Sequence, residues 1–246
     1  MEIPFYNGEV PYLTTAQMIE VDRAMVEDYH IQLTQMMENA GRNLAHLARV
    51  RCLDGQPRGK TVVVLAGTGG NGGGAMAAAR HLQNYGAVVL VILAKPAAEL
   101  SGVPAQQLDI LRQMGIPLYD ASRLESLETI DLIIDGIIGY SLESAPQESA
   151  AEMIRWANQS TAPILALDVP SGVDAGSGTV YDPAIVAALT MTLALPKEGM
   201  RAPDAADKIG ELYLADISVP PALYAGSGLR MVVEPLFASS DIIRLR

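Results

Sequence analysis

Apolar residues recur along the chain in two rhythms. Before residue 55 they return at helical spacing: Met18, Val21, Met25 and Tyr29, then Met37, Leu44, Leu47 and Val50. Such spacing puts each set on one helix face and predicts a helix starting at Thr14-Thr15, where a threonine can cap it, and a second over about 34–52. Gly41 lies inside the second helix and predicts close packing against another element. From Thr61 onward the apolar residues come instead in short continuous runs, at 61–66, 88–93, 117–119, 131–135 and 163–168, and these predict strands. Helix-length stretches at 73–85, 104–114 and 147–158 separate them, and further strand-like runs follow at 189–195, 211–214 and 231–233. Fully apolar strands alternating with helices predict an α/β fold with a mainly parallel sheet covered on both faces. The N-terminal helical pair precedes the first strand, so it is expected to pack on that sheet or to form an interface.

Composition narrows the class. The chain has 246 residues, half of them hydrophobic and 18% charged, enough for a sizeable core. No repeat, low-complexity tract or charged linker divides it, so one domain over 1–246 is expected, with 1–55 as an N-terminal helical extension. A net charge of -11 without any basic cluster argues against a nucleic-acid partner. No apolar run reaches membrane-span length and the first residues lack a basic, apolar leader, so a cytoplasmic protein without a membrane partner is expected. The lone Cys52 excludes an internal disulfide, and His30, His46 and His81 lack metal-ligand spacing.

The chain's chemistry points to the first predicted strand-to-helix junction. Val62-Val63-Val64-Leu65-Ala66 runs into Gly67-Thr68-Gly69-Gly70-Asn71-Gly72-Gly73-Gly74 and then an alanine-rich helical stretch. Glycines permit a sharp turn and close approach to a ligand, and the helix start behind them offers free N–H groups to an anion. Gly67, Gly69 and Gly72 formally match the dinucleotide fingerprint, but the second strand ends in Leu93-Ala94-Lys95-Pro96 without the acidic residue that would bind a ribose. The Lys-Ser/Thr pair of a P-loop is missing after Gly74, and no G-x-S-x-G elbow occurs. An ordinary dehydrogenase, an NTPase and a serine hydrolase are therefore disfavoured.

Three strand ends carry polar residues instead. Asn71 follows the first strand, Asp135 ends the 131–135 strand, and Asp168 ends the 163–168 strand just before Ser171. If these strands are neighbours, their carboxyl ends share one cleft. A carboxylate, an amide oxygen and a hydroxyl then form a hard-oxygen set suited to an alkali or alkaline-earth cation. Asp168 is placed to exchange protons with a ligand. The competing reading of either aspartate is a loop cap made by an Asx-type hydrogen bond.

With Leu65–Leu82, Asp131–Gly139, Leu165–Asp174 and Ala194-Leu195-Pro196-Lys197-Glu198-Gly199, together with Met37-Glu38-Asn39-Ala40-Gly41, the chain resembles the NAD(P)H-hydrate epimerase family, whose domain is also called YjeF N-terminal. The resemblance implies a Rossmann-like three-layer αβα sandwich, often a homodimer. It implies an enzyme that interconverts the R and S forms of hydrated NADH and NADPH, NAD(P)HX, in nicotinamide cofactor repair, with a separate dehydratase completing the repair. It also implies a potassium ion, and by motif position Asn71, Asp135 and Ser171 would be its ligands. Gly70, Asn71, Gly72, Gly73 and Gly74, with Gly139, Tyr140, Ser141, Leu142, Glu143, Ser144 and Ala145, would hold the dinucleotide phosphates. Asp168 would touch the nicotinamide side as general acid/base. Lys197 would sit near the cleft, the alternative being a surface lysine at a strand end. One departure stands out: the family loop usually reads Asn-Asn-Gly-Gly-Asp-Gly, whereas this chain has Gly70-Asn71-Gly72-Gly73-Gly74-Ala75. Gly74 in place of the aspartate leaves open a catalytically degenerate module of the same fold that binds a nucleotide or a partner.

Overall fold

The computed structural model describes residues 3–226 and 228–246. Among them, eight strands form one sheet in the order β3-β2-β1-β4-β5-β6-β7-β8. The strands are β1 (Thr61–Ala66), β2 (Val88–Leu93), β3 (Leu118–Asp120), β4 (Leu132–Gly136), β5 (Ile164–Leu167), β6 (Leu189–Leu193), β7 (Glu211–Ala215) and β8 (Ile242–Arg244). All pairs are parallel except β7–β8. The strand order reverses direction between β1 and β4, and at that point an open α/β sheet leaves a crevice beyond its strand ends.

Strand alternation explains why the apolar runs are continuous. Val62, Val64, Leu132, Ile134, Leu165 and Leu167 point to one face, against Leu44, Leu47, Met76 and Leu82. Val63, Leu65, Ile133 and Ala166 point to the other, against Met153, Ile154 and Ala157. With helices on both faces, nearly every position of the central strands β1, β4 and β5 is buried, and their side chains are apolar apart from Thr61 at the start of β1 and Asp135 near the end of β4.

The helices are α1 (Thr15–Glu27), α2 (Leu33–Leu47, followed by a π-helical turn to Cys52), α3 (Gly70–Asn84), α4 (Gly102–Gln113), α5 (Glu148–Gln159), α6 (Pro203–Ile209) and α7 (Pro221–Ala225). Thr14 and Gln17 close a reciprocal capping box on α1. The close packing expected at Gly41 is real: a Cβ there would lie 2.4 Å from Ala77 Cβ, so α2 rests directly on α3. Gly67 lets the β1–α3 turn touch the loop after β4, since a Cβ on it would fall 1.9 Å from the Ile137 carbonyl oxygen.

The pattern misleads at several boundaries. Helix α3 starts at Gly70, earlier than the expected residue 73, because the glycine turn itself supplies its first turn. Strand β6 stops at Leu193 because Ala194 adopts a positive φ of 60°. No strand forms at 231–233: Val232 is 84% exposed, and the last strand of the sheet is instead β8, which returns antiparallel onto β7. The short helices α6 and α7 gave no periodic signal; each begins where a proline sits in its first turn.

Candidate functional site

A cavity of about 480 Å³ opens at the carboxyl edge of the sheet, above the β1–β4–β5 strand ends. Its lining includes Thr68 to Asn71 and Gly74 from the glycine turn, Ile137 to Ser141 from the loop after β4, and Leu167 and Asp168 after β5. Met18 and Asp22 of α1 and Leu33, Met36, Met37 and Ala40 of α2 close the side, so the N-terminal helical pair forms a wall of the cavity as well as packing on α3. The methionines of that pair are buried, where they fill core and cavity wall.

On the β5–β6 side the site is built from charge. Asp168 is 4% exposed and takes a left-handed backbone with φ 68°, unusual for a residue with a side chain but tolerated by aspartate. Its Oδ1 accepts the Leu193 N–H at 3.2 Å and the Thr192 hydroxyl at 3.3 Å. The same oxygen contacts Lys197 Nζ in a salt bridge. Lys197 is fully buried, so the surface reading of that lysine is overturned; its ammonium also donates to the Leu193 carbonyl at 2.8 Å and to Thr192 Oγ1 at 3.2 Å. A buried ion pair needs further hydrogen bonds to offset its lost hydration, and here the ammonium has three acceptors while Asp168 Oδ1 takes all of the carboxylate's contacts. Asp168 and Ala194, both with positive φ, sit at adjacent strand ends, the clustering of backbone strain found around functional sites.

Beneath the loop after β4 lies a second carboxylate. Asp135 is fully buried; its Oδ1 accepts the Ser171 hydroxyl at 2.6 Å and the Ile137 N–H at 3.2 Å, and its Oδ2 accepts the Ser171 N–H at 2.8 Å. The Ile137 bond is the Asx cap that the residue pattern left open. The Ser171 oxygen also accepts the Ile138 N–H at 2.9 Å. Among the described residues Asp135 has no ion-pair partner, and burial pushes its carboxyl up to about 6 against the lowering effect of these hydrogen bonds. Asn71 packs against the loop after β4: its carboxamide carbon lies 3.3 Å from where a Gly139 Cβ would stand, and its Nδ2 is buried without a hydrogen-bond partner among the described residues.

On the α1 wall, Tyr140 Oη donates to Asp22 Oδ2 at 2.5 Å. Burial raises the Asp22 carboxyl above the ordinary carboxylate range, more than the Tyr140 hydrogen bond lowers it, and burial also raises the Tyr140 phenol.

Of the residues expected at a site, Gly70, Asn71, Gly74, Gly139, Tyr140, Ser141 and Asp168 line the cavity together. Asp135 and Ser171 lie just under its floor, and Lys197 reaches it through Asp168. Gly72 and Gly73 are buried behind the turn, and Leu142, Glu143, Ser144 and Ala145 lead away from the lining. His30, His46 and His81 are not among the lining residues, and His81 instead pairs with Glu38 at 2.8 Å. The pattern did not single out Asp22, Thr192 or the apolar wall of Leu33, Leu193 and Ile217. Asp22 carried one faint signal, a carboxylate between Val21 and Met25 on the buried stripe of α1.

Fold and site together define a Rossmann-like three-layer α/β domain whose cleft lies at the switch point of its sheet. The model of the YjeF-related protein N-terminus matches residues 33–199. The chain is 43% identical to an NAD(P)H-hydrate epimerase of Dehalogenimonas lykanthroporepellens, over 100% of this chain and 98% of that one. It is 32% identical to an NAD(P)H-hydrate epimerase of Rhodopirellula baltica, over 86% of each. A bifunctional NAD(P)H-hydrate repair enzyme of Salinibacter ruber is 36% identical over 86% of this chain, which corresponds to 41% of that longer protein. The crystal structure of the yeast protein YNL200c superposes with a TM-score of 0.80 at 25% identity, covering 96% of this chain and 100% of that one. The chain belongs to the YjeF N-terminal family.

Proposed function

We propose that this protein is an NAD(P)H-hydrate epimerase, with Asp168 as an acid/base group. The observation that carries the reading is the Asp168–Lys197 ion pair, buried at the cavity wall and held on strained backbone, in a chain that aligns end to end with an epimerase. The substrate bears a hydroxyl on a ring carbon beside nitrogen. Inverting that centre requires a proton delivered to one atom and removed from another, and a carboxylate screened from water is suited to the exchange. Lys197, Thr192 and the Leu193 N–H all converge on Asp168 Oδ1 and fix its orientation.

The dinucleotide phosphates would lie over the first turn of α3, where the N–H groups of Gly70, Asn71 and Gly72 lack intrahelical acceptors. The residues present fit a potassium ion. Asp135 is a buried carboxylate without a cationic partner, and turning the Asn71 amide over would put an oxygen where the partnerless Nδ2 stands. Asn71, Asp135 and Ser171 would hold the ion. When bound, it would supply positive charge beside the phosphate-binding turn of an otherwise acidic protein. A separate dehydratase acting in the same repair and a homodimer belong to the same reading.

The direct test is the rate of R to S conversion of purified hydrated NADH in potassium buffer against the uncatalysed background. Acceleration by the wild type that falls at least about 100-fold in Asp168→Asn is the expected result. A wild-type rate equal to background overturns the epimerase reading. The second reading, a nucleotide-binding module without activity, is favoured by Gly74, which leaves no side chain where the family carries an aspartate. Activity gained only in Gly74→Asp would establish it.

A further inference from the structure

Inversion at a carbon that loses and regains water makes a demand that one fixed carboxylate meets poorly. The hydroxyl leaves from one face of the ring and water returns to the other, so the proton donor and the proton acceptor act at different positions. Among the described residues, the carboxyls that line the cavity are Asp168 and Asp22. Asp168 comes from the β5 end and Asp22 from α1, so they reach the cavity from separate walls. Tyr140 also lines the cavity, and its hydroxyl is joined to Asp22 at 2.5 Å.

We propose that Asp22, acting through the Tyr140 hydroxyl, is the second proton-transferring group of this cavity and works as the acid where Asp168 works as the base. The assignment rests on the epimerase reading and adds to it a residue pair from the loop after β4 and the N-terminal helix. The two carboxyls have opposite surroundings. Asp168 is ion-paired to a buried ammonium. Asp22 has no such partner: its polar contact is a neutral phenol, burial outweighs it, the nearby Asp168 charge disfavours ionisation, and Lys197 opposes that only as the smallest influence. Two carboxyls in such different surroundings, one ion-paired and one hydrogen-bonded to a phenol, can take the separate roles of base and acid.

The step balances. With Asp22 in its acid form the 2.5 Å contact runs the other way, the carboxyl O–H donating to Tyr140 Oη and freeing the phenol hydrogen. Asp22 then passes its proton to Tyr140 Oη as Tyr140 passes its own to the substrate hydroxyl. The ring carbon–oxygen bond breaks with its electron pair leaving on water, while the ring-nitrogen lone pair forms a carbon–nitrogen double bond. A water molecule then adds to the opposite face as that double bond returns its electrons to nitrogen, and Asp168 takes the proton. Reversal, or exchange with solvent, restores both groups.

The test compares wild type, Asp22→Asn and Tyr140→Phe on the R form of hydrated NADH across a pH series, with the infrared carboxylic-acid C=O stretch recorded at neutral pH. The expected result is a kcat at least about 100-fold lower in both variants with KM little changed. The wild-type profile should fall on its alkaline side as Asp22 ionises, and Asp22→Asn should lose that limb. The acid C=O band of the wild type should vanish in Asp22→Asn. Unfolding of Asp22→Asn is controlled by Tyr140→Phe, which keeps the carboxyl and removes one hydroxyl. An active wild type with kcat within about threefold of both variants overturns the proposal while leaving the epimerase reading intact. Absence of the acid band overturns it independently of turnover, and a wild type at background rate overturns both.

Discussion

Along the carboxyl edge of the sheet, the β1–β4 side of the cleft is made of backbone and the β5–β6 side of charge. On the first side the constraint is space: Gly67 and Gly72 each leave only 1.9 Å between a would-be Cβ and a carbonyl oxygen. On the second it is compensation of charge: Asp168 and Lys197 are buried together with Thr192 and two backbone groups bonded to them. The backbone side offers unpaired N–H groups to an anion and, at Gly67 and Gly72, has no room for an added atom. The charged side offers a proton acceptor and tolerates almost no lost ones. The two halves therefore fail in opposite ways, one by addition and the other by deletion.

The largest expected effect lies in the ion pair. Lys197→Met strands a buried carboxylate and should lower unfolding free energy by about 3–5 kcal/mol in urea titration. Combining it with Asp168→Asn should recover most of that loss without recovering catalysis, because two neutral side chains need no mutual compensation. A double variant as unstable as the single one would show that the pair is not the coupled unit described.

Next comes Gly67→Ala, which sets a methyl against the Ile137 carbonyl oxygen and should cost about 3 kcal/mol, because backbone on both sides resists moving. Gly74→Ala provides the contrast on the same turn. A Cβ there meets the Leu167 Cδ2 at 3.0 Å, the tip of a side chain that can rotate, and the Ala40 Cβ at an ordinary 3.8 Å, and alanine is the better helix former. Its change should stay within about 1 kcal/mol, read from the same titrations. A large loss at Gly74 would mean that the whole turn, and not only Gly67 and Gly72, is closed to added atoms.

The smallest effect is a slope. Because the folded Asp22 carboxyl titrates above its unfolded value, the native state holds a proton that the unfolded chain has already released. Wild-type stability should therefore decline as pH rises from the ordinary carboxylate value through the raised one, and level off above it. Asp22→Asn should show a shallower decline and match or exceed the wild type near neutral pH, checked by thermal unfolding across pH. A residue whose removal steadies the fold while slowing turnover is one kept for function.

Much of this was legible in the residues. The continuous apolar strands, the glycine turn after β1, and the polar residues ending β4 and β5 are local patterns, and sequence order alone brought them to one sheet edge through parallel connections. Lys197 was readable as either a surface or a cleft residue, because nothing in Pro196-Lys197-Glu198 tells whether its stem turns inward. Asp22 was hidden for a different reason: on α1 it looks like an ordinary charge beside an apolar stripe, and its burial arises only when the loop carrying Tyr140 packs against it. The mistaken strand at 231–233 has the same origin, since three apolar residues satisfy a strand pattern whether or not a sheet edge is free to receive them.

By itself, then, the sequence determined what depends on neighbours along the chain: helix starts, strand runs, the turn that only glycine can make, and which carboxylates end which strands. Tertiary structure decided what depends on neighbours in space. It sealed Lys197 against Asp168, buried Asp135 with no counter-charge among the described residues, and set Asp22 against Tyr140 at the cavity wall. The division is physical: backbone preference and periodicity are short-range, whereas the charge state of a carboxyl is set by the water it has lost and the groups that replaced it, and those arrive from anywhere in the chain.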